Sequence, residues 1–99
     1  MSYSLSWTTR AVETFNKNIE YLELEWSNSV LNKFLDRVEY TLENISDNPY
    51  LYPLHNSSKD IRRCIINGRI ILYFRIIDDN TIDLITFFNT WQNPDKLEF

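Results

Sequence analysis

The chain has 99 residues, of which 43% are hydrophobic, 15% aromatic and 24% charged, a balance that excludes a disordered chain. One Gly and three Pro exclude a Gly-rich phosphate loop, a collagen repeat and a flexible linker. One Cys rules out an intramolecular disulfide, one Cys and one His leave no ligand set for a structural zinc, and a net charge of −4 works against broad attraction to nucleic acid.

The first predicted element is a strand, because Tyr3-Ser4-Leu5-Ser6-Trp7 alternates large and small side chains at period two. Met1-Ser2-Tyr3-Ser4 lacks the basic and apolar regions of a signal peptide. No apolar run approaches the ~20 residues of a membrane span. The chain is therefore expected in the cytoplasm, with no membrane contact. Thr8 and Thr9 offer a hydroxyl N-cap for a helix whose apolar stripe is Val12, Phe15, Ile19, Leu22 and Trp26. Arg10, Glu13, Lys17, Glu20 and Glu23 fall off that stripe, and Glu20, Glu23 and Glu25 read as a solvated helix face rather than paired catalytic carboxylates. Ser27-Asn28-Ser29 interrupts the pattern, and Leu31, Phe34, Leu35, Val38, Leu42 and Ile45 draw a second stripe. That helix must end by Asn48, because Pro49 disfavours helical geometry in the residue before it. Two antiparallel helices joined by a short turn form an αα-hairpin.

The second half is β-rich. Tyr50-Leu51-Tyr52-Pro53 and His55-Asn56-Ser57-Ser58 read as a loop with aromatic anchors. Runs at 61–66 and 69–77 flank Asn67-Gly68, a strong hairpin signal. Asp78-Asp79-Asn80 is a second turn before a strand over 81–89. Ile70-Ile71-Leu72-Tyr73-Phe74 is apolar on both faces, as befits a central strand. Residues 90–99, with Pro94, read as coil or a short helix. The expected fold is α+β, ordered β-α-α-β-β-β, with a helical hairpin packed on a small antiparallel sheet. Residues 1–99 read as one domain.

Charge is uneven along this order. Residues 1–58 set Arg10, Lys17, Lys33 and Arg37 against eight acidic groups, a net −4. Residues 59–75 set Lys59, Arg62, Arg63, Arg69 and Arg75 against Asp60 alone, a net +4. Residues 76–99 set Lys96 against Asp78, Asp79, Asp83, Asp95 and Glu98, again −4. An acidic chain thus carries one basic segment, the first pointer to function.

A family resemblance rests on several features together. They are the amphipathic helix pair, Asn48-Pro49-x-Leu51-Tyr52-Pro53, Ile61-Arg62-Arg63, Tyr73-Phe74-Arg75-Ile76 and the closing Phe87-Phe88-Asn89-Thr90-Trp91-Gln92-Asn93-Pro94. In this order they resemble the RelE/ParE superfamily of bacterial toxins from type II toxin–antitoxin modules, the plasmid-stabilisation type. The resemblance implies a growth-inhibiting toxin neutralised by a cognate antitoxin. Its implied target is DNA gyrase in the ParE-like branch, or messenger RNA on the ribosome in the RelE-like branch. The ParE-like branch is preferred here. The alternatives are a ribosome-dependent mRNA endoribonuclease and a degenerate toxin retained as a non-enzymatic antitoxin-binding partner. No metal or organic cofactor is indicated.

Messenger cleavage needs a base, positive charge on the phosphate and an acid for the leaving oxygen. If the chain is a nuclease, Arg62, Arg63 and Arg75 are the candidates for charge stabilisation. For target or antitoxin binding the candidates are Arg62, Arg63, Arg69, Arg75 and Trp91. Trp91 stands where the superfamily often carries a basic residue, and Asn89 where several nucleases carry a titratable group. Both departures weaken the nuclease reading. Arg62 and Arg63 are adjacent on a strand and point to opposite faces. Arg75 is read either as a site residue or as paired with a downstream Asp, and Arg69 as a solvated turn residue. Trp91 either stacks on a base or packs the chain end, and Tyr50 and Tyr52 are stacking platforms or loop anchors. His55 reads as a surface loop residue, and Cys64 as a small buried hydrophobe.

Overall fold

The computed structural model describes residues 2–56, 60–97 and 99. Met1, Ser57, Ser58, Lys59 and Glu98 lie outside the described residues, and with them part of the predicted loop and one cation of the basic segment. Strand β1 (Ser4–Trp7) leads into helices α1 (Thr9–Glu25) and α2 (Asn28–Asp47). A 3-10 turn (Pro49–Leu51) then precedes strands β2 (Leu54–Asn56), β3 (Ile61–Ile65), β4 (Ile70–Ile76) and β5 (Thr81–Asn89), and a second 3-10 turn covers Pro94–Lys96. The sheet order is β1-β5-β4-β3-β2. No helix among the described residues is long and apolar enough to cross a membrane.

Both helices begin on a hydroxyl cap. Thr8 is extended and its Oγ1 accepts from Ala11 N at 3.1 Å, while Ser27 Oγ accepts from Val30 N at 3.4 Å. The second helix closes at Asp47, just before Asn48-Pro49. Its stripe faces the core: Phe34, Val38 and Ile45 are buried, and Leu31, Leu35 and Leu42 pack against them. Helix α1 departs from its predicted stripe. Val12 and Trp26 are exposed, while Ala11, Asn18 and Leu22 are buried.

The sheet differs from expectation in two details. All pairings among β2 to β5 are antiparallel, but β1 lies parallel to β5, with Ser4 opposite Thr81 and Trp7 opposite Leu84. A parallel neighbour requires a long crossover, which the helices and the intervening strands supply. The stretch read as a loop also contributes β2, a short edge strand on β3. Sequence periodicity cannot announce a three-residue strand.

The β3–β4 turn forms at Asn67-Gly68 by another device than the expected one. Gly68 has no positive φ, and a Cβ there would meet nothing within 4 Å. Instead Asn67 Oδ1 accepts from the N–H groups of Arg69 and Ile70, each at 2.9 Å. The side chain closes a turn that a left-handed backbone would otherwise close.

Strand β4 is central, as its two apolar faces required. Ile70, Leu72 and Phe74 join the core beneath the helices. Tyr73, with Ile71 beside it, joins a second cluster with Ile61, Ile85 and Phe88 on the outer face.

Beyond Leu84, β5 has no strand partner on its β1 side, and α1 takes over the missing pairing. Thr8 N and Oγ1 both donate to Leu84 O, at 3.2 and 2.7 Å. Thr14 Oγ1 accepts from Phe87 N at 2.9 Å, and Asn18 Nδ2 donates to Phe87 O at 3.0 Å. Helix side chains thus satisfy a strand edge that burial would otherwise leave unpaired.

Candidate functional site

The basic segment does not become one patch. Its four described arginines separate because adjacent strand residues face opposite sides and the hairpin carries Arg69 away. Arg62 lies opposite Phe74, so it shares the helix side of the sheet. Its Nη1 donates to Tyr52 O at 2.6 Å, and its guanidinium lies 5.0 Å from the Tyr50 ring centroid. It clamps the turn after α2, with Tyr52 set edge-on to Phe74 at 5.8 Å.

Arg63 and Arg75 share the outer face, where register places Arg63 opposite Tyr73 and Arg75 between Ile61 and Asp83. Three rings gather there. His55 on β2 lies 5.0 Å from Tyr73, and Phe99 lies 5.2 Å from Tyr73 and 5.4 Å from His55. His55, read as a loop residue, is therefore an exposed strand residue inside an aromatic cluster. A cavity of about 290 Å³ opens beside it, lined by Thr8, Arg10, Arg75, Asp83, Ile85 and Phe99. Arg75 Nε is buried in this region without a hydrogen-bond partner. Asp83 is the cross-strand neighbour of Arg75 on β5.

Burial pushes the Tyr73 phenol above its ordinary value, and the Arg63 guanidinium partly offsets this. Burial also raises the Cys64 thiol and the Tyr52 phenol, which lie together under α2 near Arg37. The folded chain holds these three protons more tightly than the unfolded chain. The stability they contribute is therefore complete below the ordinary thiol value of 9.0. It is lost as pH rises through the ordinary tyrosine value of 10.0 and beyond. A urea midpoint that is flat to pH 9.0 and falls through 10.0 is expected, with a shallower fall for Tyr73→Phe. A midpoint that does not change across this range would refute the assignment.

Arg69 and Trp91 meet at another corner. The Arg69 guanidinium lies 3.8 Å from the Trp91 ring centroid, and Thr90 N donates to Arg69 O at 2.7 Å. Tyr21 stands edge-on to Trp91 at 5.5 Å, and Trp26 is 6.4 Å away. Trp91 thus packs the chain end while remaining 51% exposed. Asn89 is buried and structural: its Nδ2 faces Asn18 Oδ1 at 3.5 Å, and its Oδ1 accepts from Trp91 N at 3.0 Å.

The five candidate residues therefore occupy three places: a clamp at Arg62, an outer face at Arg63 and Arg75, and a corner at Arg69 and Trp91. Tyr73 and Phe99 were missed as members of the outer face. Period two along β4 puts Tyr73 on the same face as Arg75, a signal that could have found it, whereas nothing local marks the return of Phe99.

A family model described as the ParE toxin of the type II toxin–antitoxin system parDE matches residues 5–94. No curated protein matches the chain in sequence. Among solved structures, the chromosomal ParDE toxin–antitoxin system of Pseudomonas aeruginosa superposes with a TM-score of 0.72 at 11% identity, over 89% of this chain and 96% of that one. The RelBE2 toxin–antitoxin complex of Mycobacterium tuberculosis gives 0.61 at 20% identity, over 90% and 99%. The YoeB dimer of Staphylococcus aureus gives 0.61 at 16% identity, over 89% and 97%. At these identities the structural likeness is one of fold.

Proposed function

This chain belongs to the ParE toxin family of type II toxin–antitoxin systems, and we propose that it inhibits growth in the ParE manner, by acting on DNA gyrase, until a cognate antitoxin neutralises it. One observation carries the choice of branch. Asn89, where several nucleases of the superfamily place a titratable group, is committed on both sides of its amide to Asn18 and to Trp91 N. Trp91 in turn is held under Arg69. These two positions therefore offer packing and hydrogen bonds but neither a general acid nor a general base for strand cleavage. A toxin that acts by binding needs neither. The antitoxin partner is supported by the ParDE and RelBE2 systems that share the fold.

A second reading has an observation of its own. His55, Tyr73, Arg63 and Arg75 lie on one face of the sheet, a set that could serve a ribosome-dependent mRNA endoribonuclease. Two assays separate the readings. With gyrase, ATP and plasmid, the purified chain is expected to trap broken DNA. In cell-free translation with mapped messenger 5′ ends, it is expected to leave the messenger intact. Ribosome-dependent cuts would transfer the assignment to the outer face and its arginines.

Induced expression is also expected to arrest growth, and co-expression of the antitoxin to relieve it. Antitoxin binding with no arrest in a sensitive host would identify a degenerate toxin.

A further inference from the structure

A second cavity lies between α1, the unpaired end of β5 and the C-terminal 3-10 turn, next to the outer-face cavity, with which it shares Arg10. It holds about 430 Å³, within the range of small-molecule sites. Its wall carries Arg10 and Lys17 from α1 and Lys96 from the 3-10 turn, with Tyr21, Trp91 and Gln92 beside them. Among the described lining residues none is acidic. In a chain of net charge −4, this concentrates positive charge where the overall balance would not place it.

The floor of the cavity is already satisfied internally. Thr14 serves Phe87 N, Asn18 serves Phe87 O, and Asn89 serves Trp91 N. A ligand would therefore be recognised from the walls, by the lysines and by the indole. Trp91 is half exposed, lines the cavity and is oriented by Arg69 at 3.8 Å and by Tyr21 at 5.5 Å. A held, half-open indole and two lysines lining one cleft match a flat ring joined to a phosphate. A carboxylate would use the lysines and leave the indole idle.

We propose that this cleft binds a nucleotide, with its phosphate at Lys17 and Lys96 and its base stacked on Trp91. The ligand chemistry could come from a free nucleotide or from one residue of a single strand. The inference goes beyond the choice of gyrase or ribosome as target and does not depend on it.

The test is a fluorescence titration of the purified full chain with adenosine 5′-monophosphate and, separately, with a ten-nucleotide single-stranded oligonucleotide. Binding of both probes points to a free nucleotide, and binding of the oligonucleotide alone points to a strand. One phosphate held by the two lysines, at a salt slope of about −0.7, predicts that oligonucleotide affinity falls about two- to threefold between about 50 and 200 mM salt. Lys17→Ala with Lys96→Ala should flatten that dependence. Trp91→Ala should weaken binding about five- to a hundredfold, as loss of one stacked base does. Lys33→Ala, at an exposed lysine of α2 that does not line the cleft, should change neither result. The proposal is overturned if neither probe binds at millimolar concentration, or if the lysine variants bind like the parent chain. It is also overturned if Lys33→Ala weakens binding as much as the cleft lysine variants do, or if a polyglutamate peptide competes as well as the oligonucleotide. That last result would assign the cleft to an acidic protein segment.

Discussion

Phe87→Ala is expected to destabilise the fold by about 3–5 kcal/mol, the cost of removing a buried aromatic ring and leaving a cavity. Phe87 is 1% exposed. It touches Trp7 at 5.5 Å and Phe15 at 5.3 Å, so it joins β1, β5 and α1 in one aromatic cluster that reaches Phe34 on α2 through Phe15. A domain of this size has roughly 5–15 kcal/mol in total, so the loss removes a large part of it. At about 4–8 °C per kcal/mol, the melting temperature should fall by roughly 12–40 °C. Thermal and urea unfolding would read this directly, and Phe87→Leu should recover more than half of the loss. A drop of under about 1 kcal/mol would show that the cluster is not the centre of the core.

Asn18→Leu is expected to cost about 2–4 kcal/mol although Leu is apolar and of similar volume. Asn18 is 5% exposed and donates to Phe87 O at 3.0 Å, while its Oδ1 faces Asn89 Nδ2 at 3.5 Å. A leucine leaves both partners without a bond, and an orphaned buried polar group costs roughly 1–3 kcal/mol. The change also reaches Trp91, because Asn89 Oδ1 holds Trp91 N at 3.0 Å. The urea midpoint should fall, and tryptophan fluorescence should shift before global unfolding. A variant as stable as the parent would show that α1 does not stand in for a strand along β5.

Asn18 also shows where sequence reading reaches its end. Helix α2 was legible because its apolar stripe meets the sheet directly, and Phe34, Val38 and Ile45 are buried as the spacing requires. Helix α1 was legible as a helix but not in its burial. It packs along a strand edge, where exposed N–H and C=O groups demand polar partners, so Thr14 and Asn18 face inward while Val12 faces water. Hydrophobic periodicity reports apolar faces and is silent about a polar seam. Likewise Asn67-Gly68 correctly located a hairpin, yet the Asn67 side chain rather than a left-handed glycine closes it.

The candidate site divides along the same line. Opposite facing of Arg62 and Arg63 follows from the strand period alone, and the cross-strand partners Phe74 and Tyr73 agree with it. The meeting of His55, Tyr73 and Phe99, or of Lys17, Lys96 and Trp91, depends on how β2 adds to the sheet and how the chain returns after β5. By itself the sequence determined the order of the elements other than β2, the helix caps and ends, the doubly covered central strand and the facing of adjacent residues. Each of these is a contest among neighbours within one or two turns of chain. Only the tertiary structure decided the parallel β1–β5 edge, the dispersal of the basic segment and the two clusters around Tyr73 and Trp91. These join residues far apart in the chain, and their contacts exist only once the whole sheet has chosen its register.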